Sequence, residues 1–262
     1  MCRLAAWFGP PLPLDRLVFE GPRSLATQAW APRELLSGSV NADGWGVAWW
    51  TGEAERPVRI ARPEPIWYDP DLPTLLGSLA SGSALAVLRN ATPGLPVDRS
   101  GLLPLVRDRW SFALNGYLPA FRARHMRKLR ELLPDALYAR LEGVSDAETL
   151  FHLALARIAS GASPRDALLS VCDSVADRLG TGETAPLTIV LSERVGLTVL
   201  HTTLNGAVNS LYIKRRRIAL EGGADAEGVL VASERFDDDG WERVPEHSTL
   251  VVGADGVRID RL

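Results

Sequence analysis

The chain has 262 residues, of which 46% are apolar and 23% charged, and its net charge is −3. That length and apolar share support a substantial buried core and exclude a disordered chain. The charge balance calls for neither nucleic acid nor an anionic membrane as partner.

Two cysteines, Cys2 and Cys172, do not make a disulfide scaffold in a chain this long. His125, His152, His201 and His247 are scattered, and no metal-ligand spacing is evident, so no metal is expected. There is no basic leader followed by a sustained apolar stretch, and no uniform apolar span of membrane length. A cytoplasmic protein with a reduced Cys2 is therefore expected. Eight tryptophans stand beside four tyrosines and six phenylalanines. Most should be core residues, with one or two available to line a cleft.

Residues 2–8 read as a strand that Gly9-Pro10-Pro11 ends. Residues 14–19 fit a short helix, and 24–32 a loop or short strand. Asn41-Ala42-Asp43-Gly44 is a turn into the strand WGVAWW (45–50), with 58–61 pairing back as a hairpin. Apolar spacing predicts a helix over 72–81, then a buried strand over 83–89 ending at Arg89. A Pro/Gly loop spans 90–97, and a further strand spans 109–116. Residues 119–133 are basic and helical. Ser145 to Glu148 form a capping-box pattern ahead of a helix reaching 159. Ser163-Pro164 starts a second helix, to about 179. Each should lay one apolar face on a sheet. Strands follow at 187–193, 196–202, 210–219, 228–233, 241–244, 248–253 and 256–262. The run Lys214–Arg217 reads as a solvated strand or turn. Asp237-Asp238-Asp239-Gly240 reads as a hairpin turn, since it lacks the distributed ligands of a calcium loop. The expectation is a single domain, 1–262, of α+β content with sheets packed face to face and helices outside.

Several residues carry two readings. Cys2 is either incidental or, once Met1 is removed, a nucleophile whose own α-amine serves as base near neutral pH. Arg89 is a strand-end arginine facing solvent or a carboxylate clamp. Asn115-Gly116 is a turn, or an oxyanion hole built from a side-chain amide and a backbone N–H. Asn41, Asp43 and Gly44 form a turn or frame a pocket. Asp146 is a helix-start residue or an ammonium ligand.

Order and context bind these together. MCRLAAWFGP, NADGWGVAWW, LRNATPG, FALNG and SDAETLF, taken along the chain, resemble the class II glutamine amidotransferases, which are N-terminal-nucleophile hydrolases. The likeness is nearest to the stand-alone branch of ergothioneine biosynthesis that hydrolyses γ-glutamyl-hercynylcysteine sulfoxide. It is carried there by MCRLAAWFGPP, QAWAP (28–32), ATPGLPVD (91–98) and VASERFDDDGWERVP (231–245).

The resemblance implies a four-layer αββα fold and a small-molecule γ-glutamyl substrate. It makes Cys2 the nucleophile, with Arg89 holding the substrate α-carboxylate and Asp146 the α-ammonium. Asn115 and Gly116 become the oxyanion hole, Arg3 resembles the residue beside the family's nucleophile, and Asn41 to Gly46 frame the glutamyl pocket. The implied chemistry requires no cofactor, and no protein partner is named. The family usually has histidine before Asn-Gly, where this chain has Leu114. The alternatives are a glutaminase subunit supplying ammonia to a separate synthetase, and a catalytically silent binding protein.

Overall fold

A computed structural model describes residues 1–91, 99–219 and 225–262. The loop expected over 90–97 and most of the ATPGLPVD segment lie outside the described residues.

Strand β1 (Arg3–Pro13) sets the layout. Its side chains alternate between two cores, as the period of a strand requires. Leu4 and Ala6 enter one apolar cluster, with Cys2 just ahead of them. Ala5 and Trp7 enter another. The strand does not stop at Gly9-Pro10-Pro11. It slips register against its neighbour between Phe8 and Leu12 and runs on to Pro13. Within that bulge the missing proline N–H groups cost no ladder bonds. The Trp7 indole N–H closes the bulge by donating to the Pro10 carbonyl at 2.9 Å.

The chain continues through α1 (Leu14–Val18), β2 (Trp45–Trp49), β3 (Val58–Arg62), α2 (Leu72–Gly77), β4 (Ala80–Leu88), β5 (Leu105–Arg107) and β6 (Trp110–Gly116). Then come α3 (Met126–Arg130), α4 (Asp135–Tyr138), α5 (Asp146–Ala159) and α6 (Pro164–Ala176). Strands β7 (Ala185–Glu193), β8 (Gly196–Leu204), β9 (Tyr212–Ala219), β10 (Asp225–Ala232), β11 (Trp241–Arg243), β12 (Ser248–Gly253) and β13 (Gly256–Arg261) complete it.

Among the described residues the strands form two antiparallel sheets. The first is ordered β11-β9-β10-β1-β4-β2-β3 and the second β13-β12-β8-β7-β6-β5. Helix α1 packs on β1 and β4 of the first sheet and touches α2, while α5 and α6 cover the second. The stack Phe112–Phe151, centroids 4.9 Å apart, joins β6 to α5. This is the αββα layering.

Of the two readings for 24–32 the loop holds, with a single 3₁₀ turn at Thr27–Ala29. Three expectations need correction. The helix starting at Leu72 stops at Gly77, because Ala80 already pairs in β4 opposite Pro13. The basic stretch 119–133 is helical but broken: Ala120 takes φ +48°, a π turn spans Phe121–His125, and only then does α3 begin. Helix α6 ends at Ala176, three residues short of the expected end. Strand β5 and helix α4 had no clear signal, being three and four residues long.

The basic run is a strand with matched acids. Lys214 meets Asp237 at 2.9 Å, Arg215 meets Glu227 at 3.0 Å and Arg216 meets Glu20 at 2.7 Å. Among the described residues, no helix is long and apolar enough to cross a membrane.

Candidate active site

Cys2 stands at the head of β1, 6% exposed, on the side facing the second sheet. Its thiol donates toward the Asn90 carbonyl at 3.7 Å. Burial pushes the thiol pKa up, and the N-terminal ammonium, Arg89 and Arg3 draw it back. The next residue fixes the strand. Arg3 Nε donates to the Cys2 carbonyl at 2.8 Å, and its Nη1 pairs with Glu234 at 2.8 Å, both side chains buried. Glu234 also accepts from the N–H groups of Arg33 and Glu34 at 2.9 and 3.0 Å.

Arg89 follows β4. Its N–H donates to the Gly44 carbonyl at 2.8 Å, and its carbonyl accepts from Asp43 N–H at 3.1 Å. The residue is 4% exposed, so the solvent-facing alternative falls. Its guanidinium lies against Gly101, where a Cβ would come within 2.7 Å of Nη2.

Asp146 opens α5 and is 3% exposed. Its carboxylate accepts from Leu118 N–H at 3.0 Å and Ala147 N–H at 2.9 Å. Burial raises its pKa, against those bonds and the nearby charge of Arg89. Cys2, Arg89, Gly116 and Asp146 together line one cleft of about 20 Å³, with Gly101 and Leu114 among its walls.

Asn115 and Gly116 end β6. Alternation from Phe112 puts Asn115 on the face turned from α5, toward the other sheet. Both polar atoms of its side chain are buried without a hydrogen-bond partner among the described residues. Asn115 itself is not among the residues that line the cleft. A Cβ at Gly116 would land on the Pro186 carbonyl oxygen, so glycine is required where β6 meets β7.

Asn41, Asp43 and Gly44 are placed differently. Asn41 is buried, with its side-chain amide donating to the Gln28 carbonyl at 3.3 Å. Asp43 accepts from Ala91 N–H at 2.8 Å. Gly44 has φ +113° and sits against Leu102 and the Arg62 carbonyl. None of the three lines the cleft. Asp43 and Gly44 brace the segment carrying Arg89, and Asn41 anchors the turn before it.

The comparisons fit this geometry. No family model matches the chain. A γ-glutamyl-hercynylcysteine sulfoxide hydrolase of Mycobacterium tuberculosis is 32% identical over 263 residues, covering 100% of this chain and 97% of the relative. One from Mycolicibacterium smegmatis is 30% identical, covering 96% of each. The chain belongs to the γ-glutamyl-hercynylcysteine sulfoxide hydrolase family.

Solved structures agree on the fold. A class II glutamine aminotransferase domain protein from Silicibacter pomeroyi superposes with a TM-score of 0.71 at 21% identity, covering 100% of this chain and 99% of that one. A predicted glutamine amidotransferase from Pseudomonas aeruginosa gives 0.57 at 17% identity, covering 98% and 95%.

In this member of the hydrolase family a second cavity, about 310 Å³, lies beyond Met1. Ser37, Gly38, Ala91 and Tyr117 help to line it, and Asn90 and Gly116 border both spaces. Met1 therefore stands at the junction. Its amine donates to the Ser37 carbonyl at 2.9 Å, and burial lowers the amine pKa.

No tryptophan lines either space among the described residues. Trp30 and Trp67 instead meet edge-on at the surface, 5.9 Å apart. Sequence reasoning also missed Asn90, Gly101, Tyr117 and Glu234. Asn90 was within reach, as the neighbour of Arg89 in a motif already singled out. Glu234 also lies in a quoted motif, VASERFDDDGWERVP, but its role stayed hidden because its partner Arg3 is 231 residues away.

Proposed function

We propose that the chain hydrolyses γ-glutamyl-hercynylcysteine sulfoxide, releasing glutamate. The observation carrying this reading is the full-length match to hydrolases of that name. The meeting of a thiol, a guanidinium, a carboxylate and Gly116 in one cleft supports it.

Loss of Met1 is part of the proposal. An inner cleft of about 20 Å³ has room for about one water, not for a glutamyl group. Without Met1 the two spaces join, and Cys2 gains a free amine beside its thiol. Arg89 then holds the α-carboxylate and Asp146 the α-ammonium of the glutamyl head. The outer cavity receives the leaving group.

The Cys2 amine takes the thiol proton, and sulfur attacks the γ-carbonyl. The oxyanion is held by the Asn115 amide and Gly116 N–H. As the C–N bond breaks, the ammonium returns its proton to the leaving nitrogen. Water then adds to the thioester, the C–S bond breaks, and glutamate leaves with the thiol restored. We place this reaction in the cytoplasm, where Cys2 stays reduced. The described cysteines are both free.

The test is intact mass after incubation with 6-diazo-5-oxo-norleucine, together with glutamate release from a panel of γ-glutamyl compounds. One adduct on Cys2, on protein lacking Met1, is expected. Release should be fastest from the hercynylcysteine sulfoxide conjugate. An unlabelled Cys2 on processed protein sinks the reading. Cys172 is the internal control. It is half-buried, and burial pushes its thiol up to about 11, so it should stay unmodified.

A further inference from the structure

We propose that Asn209 is a positioning residue for the oxyanion hole, and that Asn209, Ser210 and Ser233 set the spacing between the nucleophile strand and the oxyanion strand. The inference rests on reading Asn115 and Gly116 as the oxyanion donors.

Asn209 lies between β8 and β9 and is 1% exposed. Its side-chain amide donates to the Asn115 carbonyl at 2.8 Å. That carbonyl shares a planar trans peptide with the Gly116 N–H, and the two point in opposite directions. Holding one therefore aims the other. A hydrogen bond accepted by the carbonyl also polarises the unit, leaving the N–H a stronger donor to a developing negative charge. Asn209 thus acts on the reaction through a peptide it touches from behind.

The adjacent residue continues the connection. Ser210 Oγ donates to the Ser233 carbonyl at 2.7 Å. Ser233 N–H donates to the Leu4 carbonyl at 3.0 Å, and Leu4 N–H donates to Ser233 Oγ at 2.8 Å. Hydrogen bonds and two short pieces of backbone lead from the end of β6, in one sheet, to β1 in the other. They arrive two residues from Cys2. Ser210 and Ser233 are buried as well, so water does not compete for these bonds. The nucleophile and the oxyanion peptide belong to different sheets, and sheet packing alone allows small slides. A strut at this point removes that freedom where sub-ångström placement matters most.

The experiment compares Asn209→Leu and Asn209→Asp with wild type. Glutamate release gives kcat and KM, and iodoacetamide alkylation of Cys2 gives a rate for the thiol in a reaction that forms no oxyanion. We expect kcat to fall about 10- to 100-fold, less than for deleting an oxyanion donor outright. KM and the alkylation rate should stay within about twofold, since neither depends on oxyanion stabilisation. An unchanged kcat overturns the proposal, as does a parallel fall in kcat and alkylation. If Asn209→Leu does not fold, Asn209→Asp carries the test, since it keeps the shape and removes the donor. Loss of fold in both assigns Asn209 to the scaffold alone and overturns the proposal. An Asn115→Ala variant of full activity would instead sink the oxyanion reading beneath it.

Discussion

Helices α5 and α6 begin with the same chemistry. Ser145 accepts from Glu148 N–H and Ser163 from Asp166 N–H, each at 3.1 Å. Each first turn is acidic, with Asp146 and Glu148 in one and Asp166 in the other. The surroundings differ. Asp166 is solvent-exposed and contacts its own cap Ser163 and Arg165. Asp146 and Glu148 are buried, reached by Leu118 N–H and by the N–H groups of Glu142 and Gly143. One helix start finishes a helix, and the other also lines the cleft beside Cys2. A cap signature therefore locates a helix end and says nothing of its use.

The largest expected effect separates the two first turns by activity. Asp146→Ala should lower kcat/KM for glutamate release by about 100-fold or more, chiefly through KM. That is the scale for truncating one partner of a buried charge pair. Asp166→Ala should stay within about twofold, because a solvated first-turn carboxylate touches no substrate. Equal losses in a steady-state assay would break the comparison.

Stability sharpens it next. Glu148→Ala leaves the Glu142 and Gly143 N–H groups without their acceptor. It should cost about 2–3 kcal/mol in denaturant unfolding, against about 0.5–1 kcal/mol for Asp166→Ala.

pH gives a third contrast. Burial raises the Asp146 pKa, and only the ionised carboxylate holds an ammonium. Protonation of the Cys2 amine gives kcat/KM one acid limb, and protonation of Asp146 should add a second that begins above the ordinary carboxylate value of about 4 and steepens the fall by about another tenfold per pH unit. Asp146→Asn should remove that limb from the pH profile, while Asp166→Asn should leave it in place. A small effect is also expected at the exposed cap. Ser163→Ala should lose about 1 kcal/mol of stability with kcat/KM unchanged.

Much of this was legible in the sequence because it is local. Alternation placed most strands, serine caps marked the two long helices, and a cysteine behind Met1 drew notice with two readings. Arg89, Asn115 and Asp146 were named but ambiguous, since exposure decides between their readings and exposure is set by tertiary packing. The bulge in β1 was hidden because proline reads as a stop wherever the neighbouring strand is unknown. Asn41, Asp43 and Gly44 were placed beside substrate by motif order, yet Asp43 and Gly44 support the segment carrying Arg89. Asn209 was invisible, being 94 residues from the carbonyl it serves. Leu114 lines the cleft, so the inner wall is apolar at that point.

The Arg3–Glu234 pair has a consequence for how this enzyme can change. Glu234 grips the backbone at Arg33 and Glu34, just ahead of Ser37 and Gly38 on the rim of the outer cavity. Those grips are made to main-chain N–H groups and so are indifferent to side-chain identity. The rim beyond them can exchange residues, and with them its preferred cargo, while its mooring beside the thiol stays put. Under the proposed function, a library over residues 35–40 that keeps Gly38, whose φ is +84° and whose Cβ would meet Asn90 at 2.5 Å, is the place to begin redirecting the hydrolase.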